Sequence, residues 1–290
     1  MKMKISRWGR GVVALPAAAA AAAALVSATL FTPPAQAEET KASTQAAPVR
    51  IIERADWGER FAAEGVKGTI IVLDGHTRTY QAFDTARAER RVSPASTYKV
   101  FNSLLALESG ALENEREIIP WDGKPRQVKA WNAAMDLRSA FRVSCLPCYQ
   151  VVSHKIAREY AQAMLDETGY GNRTIGRAAD AYWVDDSLRI SAREQVDFLQ
   201  RLARGTLPFS AHTQDIVRQI SIVEATPDYV LHAKTGWFDE KTPNIGWWVG
   251  WIEREGNITS VALHIDMAGA ADAPKRARIV RAVLQDLKLI

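Results

Sequence analysis

Residues 94–99 read Pro94-Ala95-Ser96-Thr97-Tyr98-Lys99, and an apolar pattern of helical period follows them as far as Gly110. The pattern predicts a helix that carries Ser96 and Lys99 on one face near its start, because the two residues are three apart. A lysine amine then lies within reach of a serine hydroxyl, and the helix N-terminus offers N–H groups to a developing oxyanion. Taken alone, the motif fits a nucleophile, but it equally fits a capping serine beside a surface lysine.

Apolar runs and alternating patterns predict strands towards both ends of the chain, with helices between them. The predicted strands cover residues 67–73, 79–84, 228–233, 245–253 and 258–265. A short helix is predicted at residues 56–64, before the first strand. The other predicted helices cover residues 151–165, 192–205 and 274–287. Ser191 and Glu194 form a capping box at the start of the second of these helices.

This order of elements predicts an α/β plus all-α fold. We expect an antiparallel sheet built from both chain ends with flanking helices, and a helical subdomain beside it. The sheet-containing region covers residues 51–95 and 225–290, and the mostly helical region with Ser96 covers residues 96–224. The active site is expected in the crevice between the two regions.

The N-terminal segment has the organisation of a secretory signal peptide. Four basic residues precede an apolar stretch at positions 12–30, and Ala35-Gln36-Ala37 provides the small residues of a cleavage site. We predict a signal peptide at residues 1–37, a flexible arm at residues 38–50 and a periplasmic mature protein. An uncleaved membrane anchor is the alternative reading of the apolar stretch.

Removing the predicted signal changes the charge of the protein. The full chain has 37 Lys+Arg and 33 Asp+Glu, and the signal contains four of the basic residues and no acidic one. The mature chain is therefore formally neutral, which removes the support for nucleic acid or membrane-surface binding.

Further motifs follow Ser96 and Lys99 in a fixed order. They are Ser144-Cys145-Leu146, Tyr170-Gly171-Asn172, Tyr182-Trp183-Val184 and Lys234-Thr235-Gly236. With these motifs the chain closely resembles the class D, oxacillinase-type, serine β-lactamases, and the resemblance runs through nearly all of the mature chain. It implies the serine β-lactamase (penicillin-recognising) fold and hydrolysis of β-lactam antibiotics.

The resemblance implies a role for each residue that matches the family pattern. Ser96 would be the acylated nucleophile, and Lys99 would be carboxylated by carbon dioxide and act as general base. The indole of Trp183 would hydrogen-bond the carbamate. Ser144 would pass a proton to the departing lactam nitrogen with the help of Lys234.

The same resemblance implies how the substrate is held. Thr235 and Gly236 belong to the substrate-binding strand, and Thr235 would hold the substrate carboxylate together with Arg276. The backbone N–H groups of Ser96 and Trp237 would form the oxyanion hole.

Two places near the implied site leave questions open. Leu146 and Val184 match the apolar residues beside the carbamate, but the family usually has valine where Leu146 stands, which leaves water entry unsettled. Trp131 is a further candidate for substrate contact. Cys145 and Cys148 lie three apart at a helix start, where they can form a disulfide or fill apolar space as thiols.

We predict no metal and no cofactor other than the carbon dioxide that carboxylates Lys99, and β-lactams as the small-molecule partners.

Two alternative classes of protein share the main motifs and deacylate slowly. One is a penicillin-binding transpeptidase or carboxypeptidase. The other is a β-lactam sensor domain, which would need transmembrane helices and a signalling domain that we do not expect within 290 residues. Oligomeric state is left open.

Overall fold

The computed structural model describes residues 51–239 and 243–290. The predicted signal peptide and arm lie outside these residues. Within the described ranges, no helix has the combination of length and hydropathy that crossing a membrane requires.

One large sheet organises the described residues. Its strands are β1 (Ile51–Glu53), β2 (Gly68–Asp74), β3 (Thr79–Phe83), β6 (Ile222–Ala225), β7 (Val230–Phe238), β8 (Asn244–Arg254) and β9 (Asn257–Met267). They lie in the order β1-β3-β2-β9-β8-β7-β6. Two short strands, β4 (Ile118–Ile119) and β5 (Met135–Asp136), form a separate pair.

Helices precede, separate and follow the strands of this sheet. They are α1 (Gly58–Glu64), α2 (Thr85–Ala88), α3 (Lys99–Glu108), α4 (Leu137–Arg142), α5 (Leu146–His154), α6 (Arg158–Thr168), α7 (Ala192–Ala203), α8 (Ala211–Ile220) and α9 (Lys275–Asp286). The predicted capping box is present, since Ser191 accepts from the Glu194 backbone N–H while the Glu194 side chain accepts from Ser191.

The sheet buries both faces because successive side chains of a strand point to opposite sides. Along β8, Trp247 and Trp251 face the cluster formed with the middle helices of the chain. Trp248 and Ile252 face a second cluster that includes α9. The nearly continuous apolar sequence of β8 follows from this two-sided burial.

The predicted fold class is confirmed, with two differences in detail. β1 pairs with β3 in parallel, whereas the other strand pairs of the large sheet are antiparallel. The single helix predicted at residues 151–165 is two helices, α5 and α6. Lys155 caps the first of them, and Ile156 turns into the core with 8% of its surface exposed. The apolar period continues through this break, so the sequence pattern did not reveal it.

Candidate active site

Ser96 and Lys99 meet at the start of α3. Ser96 lies on a 3-10 turn formed by Ala95–Tyr98, and Lys99 is the first residue of the helix. The Lys99 Nζ atom is 2.9 Å from Ser96 Oγ, in hydrogen-bond contact. The helical spacing thus brings the amine to the hydroxyl as predicted.

Lys99 is held in surroundings that disfavour its positive charge. Its side chain is fully buried, and Nζ lies 5.2 Å from the ring centroid of Tyr149. Burial, followed by the charge of Lys234, places the pKa of Lys99 well below its usual range. The uncharged form of the amine, which this shift favours, can accept a proton from a neighbouring hydroxyl.

The indole of Trp183 is packed at the same end of α3. The residue is fully buried, its ring stacks on Tyr98 at a centroid distance of 5.3 Å, and its carbonyl accepts from Ser93 Oγ at 2.9 Å. Among the described residues, Trp183 Nε1 has no hydrogen-bond acceptor. Leaving a buried donor unpaired costs about 1–3 kcal/mol.

Ser144 is positioned by the turn between α4 and α5. Its φ of 56° lies in the left-handed region, which is unusual for a serine. Lys234 of β7 donates from Nζ to Ser144 Oγ at 2.9 Å and to its neighbour's carbonyl, Thr235 O, at 2.8 Å. Burial, followed by the charge of Arg276, lowers the pKa of Lys234 to about 7. The serine hydroxyl is therefore in contact with an amine that can gain or lose a proton near neutral pH.

Gly236 lies where β7 passes close to the Ser96 turn. A Cβ atom at this position would lie 3.0 Å from Pro94 O and 3.1 Å from Thr97 Cγ2. These distances are shorter than ordinary van der Waals contact, so a side chain here would require the strand or the turn to shift by a few tenths of an ångström. The close approach brings β7, with Thr235 and Trp237 on either side of the glycine, against the segment that carries Ser96.

Arg276 reaches this part of β7 from α9. It is 9% exposed, and its Nη1 donates to Gly236 O at 2.6 Å and to Trp247 O at 3.3 Å. Its Nε donates to Ala273 O at 2.8 Å. The guanidinium is thus fixed by main-chain carbonyls next to Thr235.

The remaining predicted residues lie around these groups. Leu146 and Val184 are partly buried and pack on the larger apolar cluster. Trp131 is also partly buried, and its Nε1 donates to Val143 O at 3.0 Å, so it is tied to the turn that carries Ser144. Trp237 is 37% exposed.

Two aromatic contacts were not predicted from the sequence. Tyr149 faces the Lys99 amine, and Phe141 lies under the Lys234 amine at 5.7 Å from Nζ to the ring centroid. Both belong to helices that flank Ser144, and their spacing resembles that of ordinary core residues. No sequence signal distinguished them.

Cys145 and Cys148 form a disulfide, which answers the question that the sequence left open. Cys145 is the N-cap of α5, and its sulfur accepts from the Cys148 backbone N–H at 3.2 Å. Both residues are buried. The bridge therefore closes the first turn of the helix directly after Ser144.

We expect protein that is denatured without reductant to contain no titratable thiol, because its two cysteines are paired with each other. The control is protein that is denatured in the presence of reductant and then freed of it. This sample is expected to give two thiols per chain. Two thiols in the unreduced sample would contradict the disulfide.

The comparisons with known proteins agree with this geometry. Residues 64–285 match the family model of the penicillin-binding protein transpeptidase domain, which defines the broad class of fold and site. Among curated relatives, β-lactamase OXA-10 of Pseudomonas aeruginosa is 35% identical over 243 residues, covering 83% of this chain and 91% of the relative. β-Lactamase OXA-3 of Pseudomonas aeruginosa is 39% identical over 241 residues, covering 82% and 86%.

Solved structures give the narrower assignment. The class D β-lactamase YbXI from Nostoc has 42% sequence identity and a TM-score of 0.79, covering 81% of this chain and 99% of that one. The class D β-lactamase FUS-1 (OXA-85) from Fusobacterium nucleatum subsp. polymorphum has 37% identity and a TM-score of 0.80, covering 82% and 99%. The chain therefore belongs to the class D β-lactamase family.

Proposed function

We propose that this protein hydrolyses β-lactams through an acyl-enzyme on Ser96. The observation that carries the proposal is the 2.9 Å contact between Ser96 Oγ and the amine of a fully buried lysine whose pKa is lowered by burial. A serine hydroxyl becomes an effective nucleophile when an adjacent group removes its proton. Family membership supports the choice of substrate class.

In the proposed acylation, Ser96 Oγ attacks the lactam carbonyl carbon while its proton moves to the base at Lys99. The carbonyl oxygen becomes an oxyanion, for which the backbone N–H groups of Ser96 and Trp237 are the proposed donors. Collapse of this intermediate breaks the C–N bond of the ring. The lactam nitrogen takes a proton from Ser144, and Lys234 replaces it through the contact between its amine and Ser144 Oγ.

We further propose that Lys99 is carboxylated. Two features of the chain suit this modification. Burial lowers the pKa of Lys99 and so favours the uncharged amine, which is the form that reacts with carbon dioxide, and Trp183 Nε1 is a buried donor without an acceptor among the described residues. A carbamate is anionic, and an apolar pocket tolerates it only where hydrogen bonds compensate the burial. When present, the carbamate would supply a general base for both acylation and deacylation.

We propose that residues of β7 and α9 orient the substrate. Penicillins and cephalosporins carry a carboxylate beside the ring. Arg276 can meet it with charge-assisted hydrogen bonds from Nη2, because its Nε and Nη1 already donate to main-chain carbonyls. We propose that Thr235 and Arg276 hold this group, with Gly236 allowing the substrate to lie close to the strand. Trp131, Leu146 and Val184 are proposed to border the cavity, the last two by limiting water access to Lys99.

We expect Ser144→Ala to slow acylation on the order of a hundredfold, which is the size of effect that follows loss of a positioned proton-transfer group. Stopped-flow measurement of acyl-enzyme formation under single-turnover conditions isolates this step. Ser139→Ala is the matched control, because Ser139 is exposed on the preceding helix α4 and its hydrogen bonds are local ones to the N-cap residue Asp136. Acylation at the wild-type rate in Ser144→Ala would remove Ser144 from the proton path.

Steady-state hydrolysis of the chromogenic cephalosporin nitrocefin tests the proposed activity as a whole. Many turnovers per chain are expected from a β-lactamase. A single stoichiometric burst would instead favour a transpeptidase or sensor, the two alternatives that acylate and release product slowly.

We also propose a periplasmic location, on the basis of the signal-peptide pattern at residues 1–37.

A further inference from the structure

A groove of about 360 Å³ leads away from the proposed active site along the edge of the large sheet. Lys234 and Thr235 line one end of it, and α4, α8, β6 and α9 contribute the walls. β6 pairs with β7 at Val230–His232, so the groove opens where β7 continues past this pairing towards Thr235. Its volume lies within the range of roughly 300–1,000 Å³ found for small-molecule sites.

The inner surface of the groove is apolar. Leu231 and Trp248 are buried in its floor, while Ile222 and Val223 on the edge strand β6 are 43% and 59% exposed. Covering such side chains with an apolar ligand segment contributes roughly 25 cal/mol for each Å² removed from water. The groove can therefore accommodate an apolar linker.

The charged residues of the groove are mostly cationic. Arg138, Arg142 and Arg281 line it, against one carboxylate, Glu224, which is paired with Arg281 at 2.7 Å. The Arg138 guanidinium has a single long ion-pair contact within the described residues, at 3.7 Å to Glu115 outside the groove, and its Nε is buried without a hydrogen bond. Arg142 is exposed and its side chain has no ion pair within the described part of the chain. The excess of guanidinium groups favours a ligand that carries a negative charge.

We propose that this groove is a subsite for a second anionic group, a carboxylate or sulfonate at the end of an arm of the β-lactam. The inference rests on the proposed function, which places the ring carboxylate at Thr235 and Arg276. An arm attached beside the ring carboxylate starts next to Thr235, where the groove begins. Its apolar part then lies along Leu231 and Trp248, and its terminal anion reaches the arginines.

The test uses two cephalosporins that have the same nucleus and the same arm beside the ring carboxylate. The arm ends in a carboxylate in one compound and in the methyl ester of that carboxylate in the other. The quantity compared is the ratio of their kcat/KM values, acid over ester, in wild type, Arg142→Ala and Arg142→Glu. Intrinsic reactivity of the two compounds cancels between variants. We expect this ratio to be lower in Arg142→Ala than in the wild type and lower again in Arg142→Glu. In Arg142→Glu it is expected to be about tenfold below the wild-type value, because charge reversal replaces attraction by repulsion. The change is expected mainly in KM, and the wild-type preference for the acid is expected to shrink at about 0.5 M salt.

Arg90→Glu is the matched control, because Arg90 is exposed and follows α2, which packs on β2 and β3 in the other half of the sheet. It makes the same change in net charge and is expected to leave the ratio at the wild-type value. An equal ratio in wild type and Arg142→Glu, or an equal fall in Arg90→Glu, would overturn the subsite while leaving β-lactam hydrolysis intact. Failure of the wild type to hydrolyse either compound would overturn the proposed function and the subsite together.

Discussion

Ser96→Ala is expected to abolish both steady β-lactam hydrolysis and covalent labelling by penicillin. Ser96 is the only nucleophile in the proposed mechanism, and its Oγ is the atom in contact with the buried Lys99 amine. Losing the residue removes the acyl-enzyme route completely, so the remaining rate is expected to be lower by several orders of magnitude. Intact-mass spectrometry after exposure to benzylpenicillin, together with a nitrocefin assay, measures both effects.

Ser109→Ala is the control for this substitution, because Ser109 is an exposed serine at the other end of α3. It is expected to hydrolyse and to be labelled like the wild type. A penicillin adduct on Ser96→Ala of the mass found on the wild type would assign acylation to another residue and contradict the mechanism.

Trp183→Phe is expected to make hydrolysis dependent on added bicarbonate. Phenylalanine can keep the ring contact with Tyr98 but lacks the indole N–H, which is the donor proposed to hold the Lys99 carbamate. Loss of a general base lowers rates by about 10²–10⁴-fold, so we expect kcat without bicarbonate to fall about a hundredfold and to recover substantially when bicarbonate is added. The acyl-enzyme should accumulate in the unsupplemented variant.

The pH dependence of this effect has a defined direction. Burial lowers the pKa of Lys99, so its amine stays uncharged to lower pH than that of an ordinary lysine and becomes protonated as the pH falls through that lowered pKa. Only the uncharged amine reacts with carbon dioxide. Activity in degassed buffer is therefore expected to decline towards acidic pH, and bicarbonate is expected to oppose the decline.

Trp57→Phe provides a closely matched control. Trp57 is also fully buried, and its Nε1 likewise has no acceptor among the described residues, but it belongs to the apolar cluster on the opposite face of the sheet. We expect its activity to be independent of bicarbonate. If wild-type enzyme in degassed, mildly acidic buffer kept full turnover, and if neither tryptophan variant responded to bicarbonate, Lys99 would not act as a carbamate.

The sequence revealed those parts of the site that depend on local geometry or on an ordered series of motifs. A spacing of three residues in a helix brings Lys99 to Ser96 whatever the rest of the fold does. The contact between Lys234 and Ser144 joins residues 90 positions apart, and only the resemblance to a family connected them.

Other features depend on tertiary packing and were beyond a pattern-based prediction. Ile156 keeps the helical period while the backbone breaks between α5 and α6, because burial of its side chain is compatible with either arrangement. The parallel pairing of β1 with β3 depends on how the chain enters the sheet, which a segment of three residues does not encode. The cationic groove gathers residues from six elements, α4, α8, β6, β7, β8 and α9, which are spread over residues 138–281, so no local motif marks it.

Time-resolved intact-mass spectrometry of the purified mature protein with benzylpenicillin shows whether Ser96 is acylated and then released. With substrate in excess, we expect an adduct equal in mass to the whole penicillin, located on the peptide that contains Ser96. The adduct should disappear as the substrate is exhausted, leaving unmodified protein and hydrolysed penicillin. An adduct that persists after free substrate is gone, with one penicillin consumed per chain, would contradict hydrolysis and identify a protein that binds β-lactams without turning them over.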